Sequence, residues 1–264
     1  MRRGLSPFTI AALVAGLAFL YAPIVLLVVW SFNASRLVTV WAGFSLHWYA
    51  ALAADGQMLD AARTSAIVAL ASAALATVAG TLTALVLARH GRFRGRAVYS
   101  GLLYAPLVLP EVITGLSLLL LFVSLGLDRG YLTLILGHAT FSASFVAVVV
   151  HARLVMLDRA LEEAAADLGA PPSAVFRRVT LPLAAPSIVA GYLLATVLSL
   201  DDLVIASFTS GPGATTLPMR IYSQVRLGVT PEVNAISTIL LALVAVALVT
   251  GALLTRGRRG LQGV

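Results

Sequence analysis

The apolar residues of this chain are gathered into six blocks separated by more polar segments. A helix needs roughly 20 residues to cross the hydrocarbon core of a bilayer, and within lipid it must satisfy its backbone hydrogen bonds internally. Each block is long enough to do so. The pattern therefore predicts an all-α polytopic membrane protein with six transmembrane helices, at Phe8–Phe32, Ala61–Ala88, Ala97–Ser124, Tyr131–Val155, Pro186–Phe208 and Val233–Leu254.

The first block follows Met1-Arg2-Arg3 and could be a secretory signal peptide or an uncleaved membrane helix. A signal peptide has a shorter apolar core and ends at a cleavage site of small residues. This block is long, ends in Trp30-Ser31-Phe32 and is followed by five more apolar blocks. We therefore interpret it as an uncleaved transmembrane helix.

The composition agrees with a lipid environment. Hydrophobic residues make up 60% of the chain and charged residues only 11%, whereas about 25% of the residues of a soluble domain are charged. The chain has no cysteine, which excludes a disulfide framework and a cysteine-ligated metal site.

The distribution of the 18 basic residues predicts the orientation, because cytoplasmic loops carry an excess of them. If both termini are cytoplasmic, the inside segments hold most of the arginines, and the opposite orientation inverts the ratio. The inside set is Arg2, Arg3, Arg89, Arg92, Arg94, Arg96, Arg153, Arg159, Arg177, Arg178, Arg256, Arg258 and Arg259, and the outside set is Arg36, Arg129, Arg220 and Arg226. The net charge of +7 then follows from topology, and we expect no nucleic-acid partner.

The loops are unequal in length and suggest the organisation of the chain. The outer loop 33–60 contains Trp41 and His47-Trp48-Tyr49, a mixture suited to the membrane interface or to a partner surface. We predict a first helix with this loop over 1–60, a transmembrane domain over 61–255 that contains a patterned inner loop at 157–185, and a cytoplasmic basic tail over 256–264.

The first half of the patterned loop, which we define as residues 157–185, has helix-forming composition over Leu157–Leu168. Leucines and alanines fall on one face and acidic residues on the other. Gly169 stands where a helix commonly ends in the left-handed conformation, and Pro171-Pro172 prevent the helix from continuing.

The second half of the patterned loop predicts another short helix. Ser173 is a plausible N-cap for a helix over Ala174–Val179, which Leu181-Pro182 would end. The acidic flanks do not suit a hairpin that lies on an anionic membrane surface. We therefore expect a docking element for a soluble partner, made of two short helices with a sharp bend between them.

The same run resembles the EAA signature of ABC-importer permeases, the type I inner-membrane components of binding-protein-dependent transport systems. The resemblance lies in the whole run, an acid with two alanines, a glycine and a later Leu-Pro, and in its position on the inner face. The matching residues are Glu163-Ala164-Ala165, Asp167-Leu168-Gly169-Ala170, Phe176 and Leu181-Pro182.

This resemblance implies the type I importer transmembrane fold, in which the loop is a coupling helix that sits in a cleft of the cytoplasmic ATPase. Glu163 would then supply charge to a basic group of the ATPase, and Gly169 would supply the bend. The coupling residues carried over are Glu162, Glu163, Ala164, Ala165, Asp167, Gly169, Ala170, Phe176, Leu181 and Pro182.

The resemblance also implies partners and a location. We expect a homologous second permease chain, a cytoplasmic ATPase dimer that binds ATP and magnesium itself, and a periplasmic or lipid-anchored solute-binding protein that meets the outer loops 33–60 and 209–232. The chain would lie in the bacterial inner membrane, surrounded by lipid, and would bind no cofactor of its own.

Three acidic residues, Glu111, Asp201 and Asp202, lie within predicted spans, where charged residues are costly and usually functional. Counted along straight helices from the inner face, Glu111 and Asp201 would both lie about 21–23 Å deep. Carboxylates at one level suit a path for a cationic substrate. The alternative is that Asp201 and Asp202 only mark the end of a span and that Glu111 bonds a neighbouring helix.

A second, narrower resemblance is to the spermidine/putrescine branch of these permeases, and with the first it covers about residues 60–255. The position after Asp202, often aromatic in that branch, is Leu203 here. The matching segments are Ser199-Leu200-Asp201-Asp202, Thr209-Ser210-Gly211-Pro212-Gly213, Thr216-Leu217-Pro218, Tyr222-Ser223, Arg226 and Pro231-Glu232-Val233-Asn234-Ala235-Ile236-Ser237-Thr238. It implies a polyamine substrate.

Other functions find less support. The sequence has no P-loop, nucleophile elbow or zinc signature, so we expect neither catalysis nor ATP hydrolysis by this chain. A secondary transporter would explain spans and buried acids but not the patterned loop. An ABC permease for an iron chelate, a sugar or sulfate stays possible. We interpret His138, in the fourth span, as a helix-packing residue and not as a metal ligand.

Overall fold

A computed structural model describes residues 6–37, 40–227 and 231–259 of the chain. Arg2, Arg3 and the end of the predicted basic tail lie outside these ranges, as do residues 38–39 and 228–230 of the predicted outer loops. The described part is helical, apart from loops and one isolated antiparallel bridge between Asn33 and Phe44.

Twelve helices follow one another along the described ranges. A π-helical turn, Phe176–Thr180, joins α8 to α9. The helices are α1 (Pro7–Trp30), α2 (His47–Ala54), α3 (Gly56–Arg89), α4 (Arg96–Val108), α5 (Glu111–Ser124), α6 (Tyr131–Met156), α7 (Ala160–Asp167), α8 (Pro172–Val175), α9 (Leu181–Asp201), α10 (Val204–Thr209), α11 (Leu217–Leu227) and α12 (Pro231–Arg259).

Four helical segments are long and apolar enough to cross a bilayer: α1, α3, α6 and the continuous segment Pro172–Asp201. The bent pair α4 and α5 adds a fifth span if the two helices cross together, and α12 carries a shorter apolar stretch, Pro231–Val246. The all-α, multi-pass architecture is thus confirmed, with four to five spans by length and hydropathy where the sequence pattern predicts six.

The predicted third span is not one straight helix. It breaks at Leu109 and Pro110 into α4 and α5, which are bent by 115°. Proline has no backbone N–H and disfavours the helical conformation in the residue before it, and Leu109 is extended at φ −71° and ψ 140°. The depth of Glu111 predicted by counting along a straight helix is therefore wrong.

The predicted fifth span is displaced along the chain. Helix α9 already begins at Leu181, passes through Pro186 without ending and stops at Asp201. The residues up to Phe208 belong to a separate short helix, α10, after a break at Asp202 and Leu203. Pro186, predicted to open the span, lies inside it.

The chain divides into two compact units, and the first comprises the chain up to Leu59 together with Ile221–Ala247. Its outer loop is organised by the buried Asn33, whose Nδ2 donates to Val40 O at 2.7 Å and whose Oδ1 accepts from Ala42 N at 2.9 Å. The Trp48 indole donates to Asn33 O at 2.7 Å and is buried. Of the aromatic residues predicted to suit the membrane interface or a partner surface, Trp48 instead lies in the interior of this loop.

The second unit comprises Asp60–Arg220 and the chain from Leu248. Its core lies where α3, α6 and α9 meet, and small residues let these helices approach closely. A side chain on Gly80 of α3 would lie 2.7 Å from Ala143 O and 2.8 Å from Val146 Cβ, both of α6. A side chain on Gly191 of α9 would also meet Val146, at 3.0 Å from its Cγ1.

The two helices that follow the breaks, α5 and α10, also pack against each other in the second unit. A side chain on Gly115 of α5 would lie 2.6 Å from the ring of Phe208, which is on α10. Leu118 and Phe122 of α5 join Ile205 of α10 in one buried cluster. The helices that follow the two breaks are therefore part of the packed interior of the second unit.

We expect Gly80→Val to destabilise the protein, because the added side chain meets the α6 backbone. Overpacking of this kind costs about 1–3 kcal/mol, which should lower the midpoint of thermal unfolding in detergent. Gly101→Val in α4 is the matched control, since among the described residues a side chain added there meets nothing within 4 Å beyond its own turn of helix. Equal unfolding midpoints for the two variants would contradict the close approach of α3 and α6.

Candidate functional site

The first helix of the patterned loop is shorter than the sequence predicts. It spans Ala160–Asp167, and Leu157 is extended at the end of α6. Asp158 Oδ1 accepts a hydrogen bond from Ala160 N at the start of the helix, at 3.0 Å. Gly169 has φ +84°, which confirms the predicted left-handed ending.

The bounds predicted for the second helix of the loop, Ala174–Val179, are wrong at both the start and the end. Pro171 is the N-cap and Pro172 takes the first helical position, where no backbone N–H is needed, so Ser173 lies inside the helix. Leu181-Pro182 does not end it, because the π-helical turn carries the chain into α9. Leu181 N donates to Phe176 O in that turn, one residue farther back than in an α-helix.

Glu162 fixes α7 to the rest of the second unit. Its Oε2 lies 3.0 Å from Arg89 Nε at the end of α3, and its Oε1 accepts from Thr180 Oγ1 at 2.7 Å, next to the start of α9. Arg89 also donates from Nη1 to Leu154 O of α6, at 3.0 Å. The Glu162 carboxylate therefore connects α7 to the end of α3 and to the turn that leads into α9, and Arg89 extends this contact to α6.

The other face of α7 is turned away from the chain. Glu163, Ala164 and Asp167 are exposed, and Leu168, which follows them, is 90% exposed. This side of α7 and the residue after it are therefore accessible within this chain.

A cavity of about 530 Å³ lies beneath the loop. Among its walls are three predicted coupling residues, Glu162, Ala170 and Phe176, together with Arg89. Of the predicted set, Leu181 and Pro182 are exposed at the start of α9, and Ala165 is half-buried on α7. The structure thus brings most of the predicted coupling residues onto α7 and the turn after it.

Glu111 is the first residue of α5, directly after the proline break, and its side chain is exposed within this chain. A carboxylate is favourable at a helix N-terminus, where the free backbone N–H groups carry partial positive charge. Asp201 lies at the end of α9 and is close enough to interact electrostatically with Glu111 and with Asp202. The two breaks therefore bring the three predicted acids into one neighbourhood.

The two consecutive aspartates differ in environment. The Asp201 side chain faces out of the chain, whereas the Asp202 side chain is only 6% exposed. Asp202 Oδ1 accepts from Ala206 N at 3.0 Å, which satisfies a backbone donor of α10 after the break. Within the described residues no ion pair includes Glu111 or Asp201.

Sequence reasoning did not identify the partners of these residues. Arg89 was only one arginine of the topology count, and its contact with Glu162 spans 73 positions along the chain. Thr180 carried no signal. His138, predicted as a helix-packing residue, has its Nδ1 2.6 Å from Ser199 Oγ of α9. Polar residues inside apolar blocks are the one signal that could have pointed to His138 and Ser199.

A multi-pass helical chain with broken spans and a patterned loop held against α3 by an ion pair has the organisation of a membrane transport component. The chain belongs to the family described as binding-protein-dependent transport system inner membrane component, whose model matches residues 76–259.

Two relatives are similar over most of their length. The putrescine transport system permease protein PotI of Escherichia coli K12 is 54% identical over 247 residues, which cover 91% of this chain and 88% of that protein. The spermidine/putrescine transport system permease protein PotC of Haemophilus influenzae is 44% identical over 239 residues, which cover 90% and 93%.

Solved structures share the fold. A bacterial ABC transporter involved in the import of the acidic polysaccharide alginate has a chain that matches with a TM-score of 0.70 at 18% identity, covering 93% of this chain and 94% of that one. The MetNI methionine ABC transporter, in inward-facing conformations, matches with a TM-score of 0.64 at 21% identity, covering 76% and 95%. The fold is that of an ABC-importer membrane component.

We expect Glu162→Gln to loosen α7, because it removes the charge that pairs with Arg89. A hydrogen bond to a charged group contributes about 1.5–3 kcal/mol, so amide hydrogen exchange in α7 should become faster in the isolated permease. Glu163→Gln is the matched control, since it makes the same change one position along on the exposed face. Similar exchange rates in the two variants would contradict the anchoring role of Glu162.

Proposed function

We propose that this chain is the permease subunit of an ATP-driven importer that carries polyamines such as putrescine and spermidine. The observation that carries the proposal is the 54% identity to a putrescine permease over 91% of the chain. Membership of the permease family supports transport in general, and the acidic residues at the breaks support a cationic substrate in particular.

Glu111 and Asp201 are the proposed anionic stations for the polyamine, with Asp202 beside them. Both side chains are exposed within this chain, and each sits where a helix is interrupted. Interrupted membrane helices are tolerated where they line a cavity or are buried in protein. Ammonium groups of a polyamine would offset the mutual repulsion of these carboxylates, which favours a cation over an anion such as sulfate.

The proposed coupling surface consists of α7 and the turn after it. Glu163, Asp167 and Leu168 project away from the chain, so they are available to a partner, while Glu162 holds the helix in place. A partner that moves α7 would also move Thr180 and the start of α9, because the Glu162 carboxylate connects them. We infer that the partner is a separate ATPase that binds ATP and magnesium.

The proposed assembly contains a homologous second permease, two ATPase subunits and a solute-binding protein. The bacterial inner membrane is the proposed location, with both termini cytoplasmic, as the arginine distribution favours. Six crossings follow if α4 and α5 together make one span and α12 makes the last. The division into 1–60, 61–255 and 256–264 stays a prediction.

We expect Asp201→Asn and Glu111→Gln each to lower the initial rate of labelled putrescine uptake about tenfold or more, because a hydrogen bond to a charged group contributes about 1.5–3 kcal/mol. ATP hydrolysis stimulated by the loaded binding protein should persist, since neither variant changes the proposed coupling surface. Asp128→Asn is the control, because Asp128 is an exposed acid in the turn after α5.

Wild-type uptake in both variants would remove the acids from the proposed path. The ligand of the cognate binding protein tests the substrate separately. Tight binding of a sugar, an iron chelate or sulfate, with none of putrescine or spermidine, would reject the polyamine assignment while leaving the permease class intact.

We expect Gly169→Val to weaken association with the ATPase, because a β-branched residue disfavours the left-handed conformation that turns the chain after α7. Co-purification of permease and ATPase measures the effect. Gly126→Val is the matched control, because Gly126 also has positive φ, at +65°, with open space around it. Equal ATPase recovery with both variants would contradict a coupling role for this turn.

A further inference from the structure

His138 lies in the interior of the second unit, on α6, with its side chain 1% exposed. Its Nδ1 lies 2.6 Å from the Ser199 hydroxyl on the last turns of α9. Ser199 Oγ also lies 3.2 Å from the Ser72 hydroxyl of α3. A chain of polar groups therefore crosses the core where α3, α6 and α9 meet.

The group opposite the other ring nitrogen favours one proton arrangement. Asp202 Oδ1, an acceptor, faces Nε2 of His138. A neutral imidazole with its proton on Nδ1 would set two acceptors against each other there, so the tautomer with the proton on Nε2 is favoured. In that tautomer Nδ1 accepts from the Ser199 hydroxyl.

Nothing in the described part of the chain accepts a hydrogen bond from this Nε2. The nearest acidic oxygen is Asp202 Oδ1, at 4.0 Å. A buried donor without an acceptor costs about 1–3 kcal/mol, and such groups are rare in folded proteins. A closer approach of about 1 Å would form the bond, since N–H···O bonds have a heavy-atom distance near 2.9–3.0 Å.

Asp202 occupies the break between α9 and α10 and uses the same oxygen, Oδ1, to accept from Ala206 N. It directly follows Asp201, whose side chain faces out of the chain. Any shift of Asp202 toward or away from α6 therefore also moves Asp201. The position of the exposed carboxylate depends on how the buried one is held.

We propose that His138 is a positioning residue of the translocation path. With Ser199 on one ring nitrogen and Asp202 opposite the other, it holds the end of α9 and the break after it, and thereby sets the position of Asp201. The inference rests on the proposed function in taking Asp201 as a station for the cation. His138 does not touch the substrate in this assignment, and Asp202 acts through the backbone of the break.

The test compares His138→Leu with His138→Gln in the complete transporter, with its ATPase and binding protein. Leucine removes both ring nitrogens, whereas the glutamine amide can accept from Ser199 and donate to Asp202. Putrescine taken up per ATP hydrolysed is the readout, because a general folding defect lowers uptake and hydrolysis together. Ser142→Ala is the matched control, one turn along α6, where the buried hydroxyl has no partner among the described residues.

We expect His138→Leu to lower uptake per ATP about tenfold, within the range of coupling energies between sites. His138→Gln should recover most of it, and Ser142→Ala should match the wild type. In an Asp202→Asn background, His138→Leu should add less than about twofold, because residues that act through one contact are not additive.

Three results would overturn the inference. Wild-type uptake per ATP in His138→Leu, with Asp201→Asn impaired, would reject the role of His138 and leave the proposed path standing. A parallel loss of uptake and hydrolysis that glutamine does not recover would reduce His138 to packing. Full additivity of His138→Leu with Asp202→Asn would show that the two residues act independently. Failure of the proposed path itself would appear separately, as wild-type uptake in both Asp201→Asn and Glu111→Gln.

Discussion

A helix in lipid must satisfy its backbone hydrogen bonds within itself, because the hydrocarbon core offers no water to replace them. This constraint makes the two interrupted helices the most informative features of the structure. Pro110 breaks the segment before Glu111, and the break after Asp201 is closed by Asp202, which accepts from Ala206 N. The helices after the breaks, α5 and α10, pack on each other, so neither interruption is isolated. Glu111, Asp201 and Asp202 therefore lie where a regular helix begins or ends.

Close packing of α3, α6 and α9 makes the rest of the second unit possible. Gly80 and Gly191 bring the neighbouring helices against Val146, with no room for a side chain. Because the helices approach so closely, short polar side chains such as Ser72 and Ser199 can reach across the core. Tight packing of this kind transmits displacement, since packed cores are poorly compressible.

Helix α9 connects the two regions to which we assign function. It begins beside Thr180, which bonds the Glu162 carboxylate of the patterned loop, and it ends at Asp201. Its 21 residues span about 30 Å at 1.5 Å per residue. A movement of α7 would therefore displace the start of α9, and the other end of α9 carries Asp201. In the proposed function, alternating access would require two packings of similar stability that a partner can bias, and α9, with polar contacts near both ends, would connect the two regions.

The sequence by itself determined the features that depend on local composition and periodicity. The apolar blocks predicted most spans within a few residues, and a glycine followed by two prolines predicted the left-handed Gly169, because both signals are properties of neighbouring residues. Pro110 indicates the first break, but an apolar block alone does not show where a helix bends. Leu181-Pro182 predicts a helix end, whereas a π-helical turn, which leaves no sequence signature, continues the helix there. Only the tertiary structure decided that Glu162 bonds Arg89 and that His138 faces Asp202. These residues lie more than sixty positions apart, and their contact depends on how closely the helices pack, which no local pattern encodes.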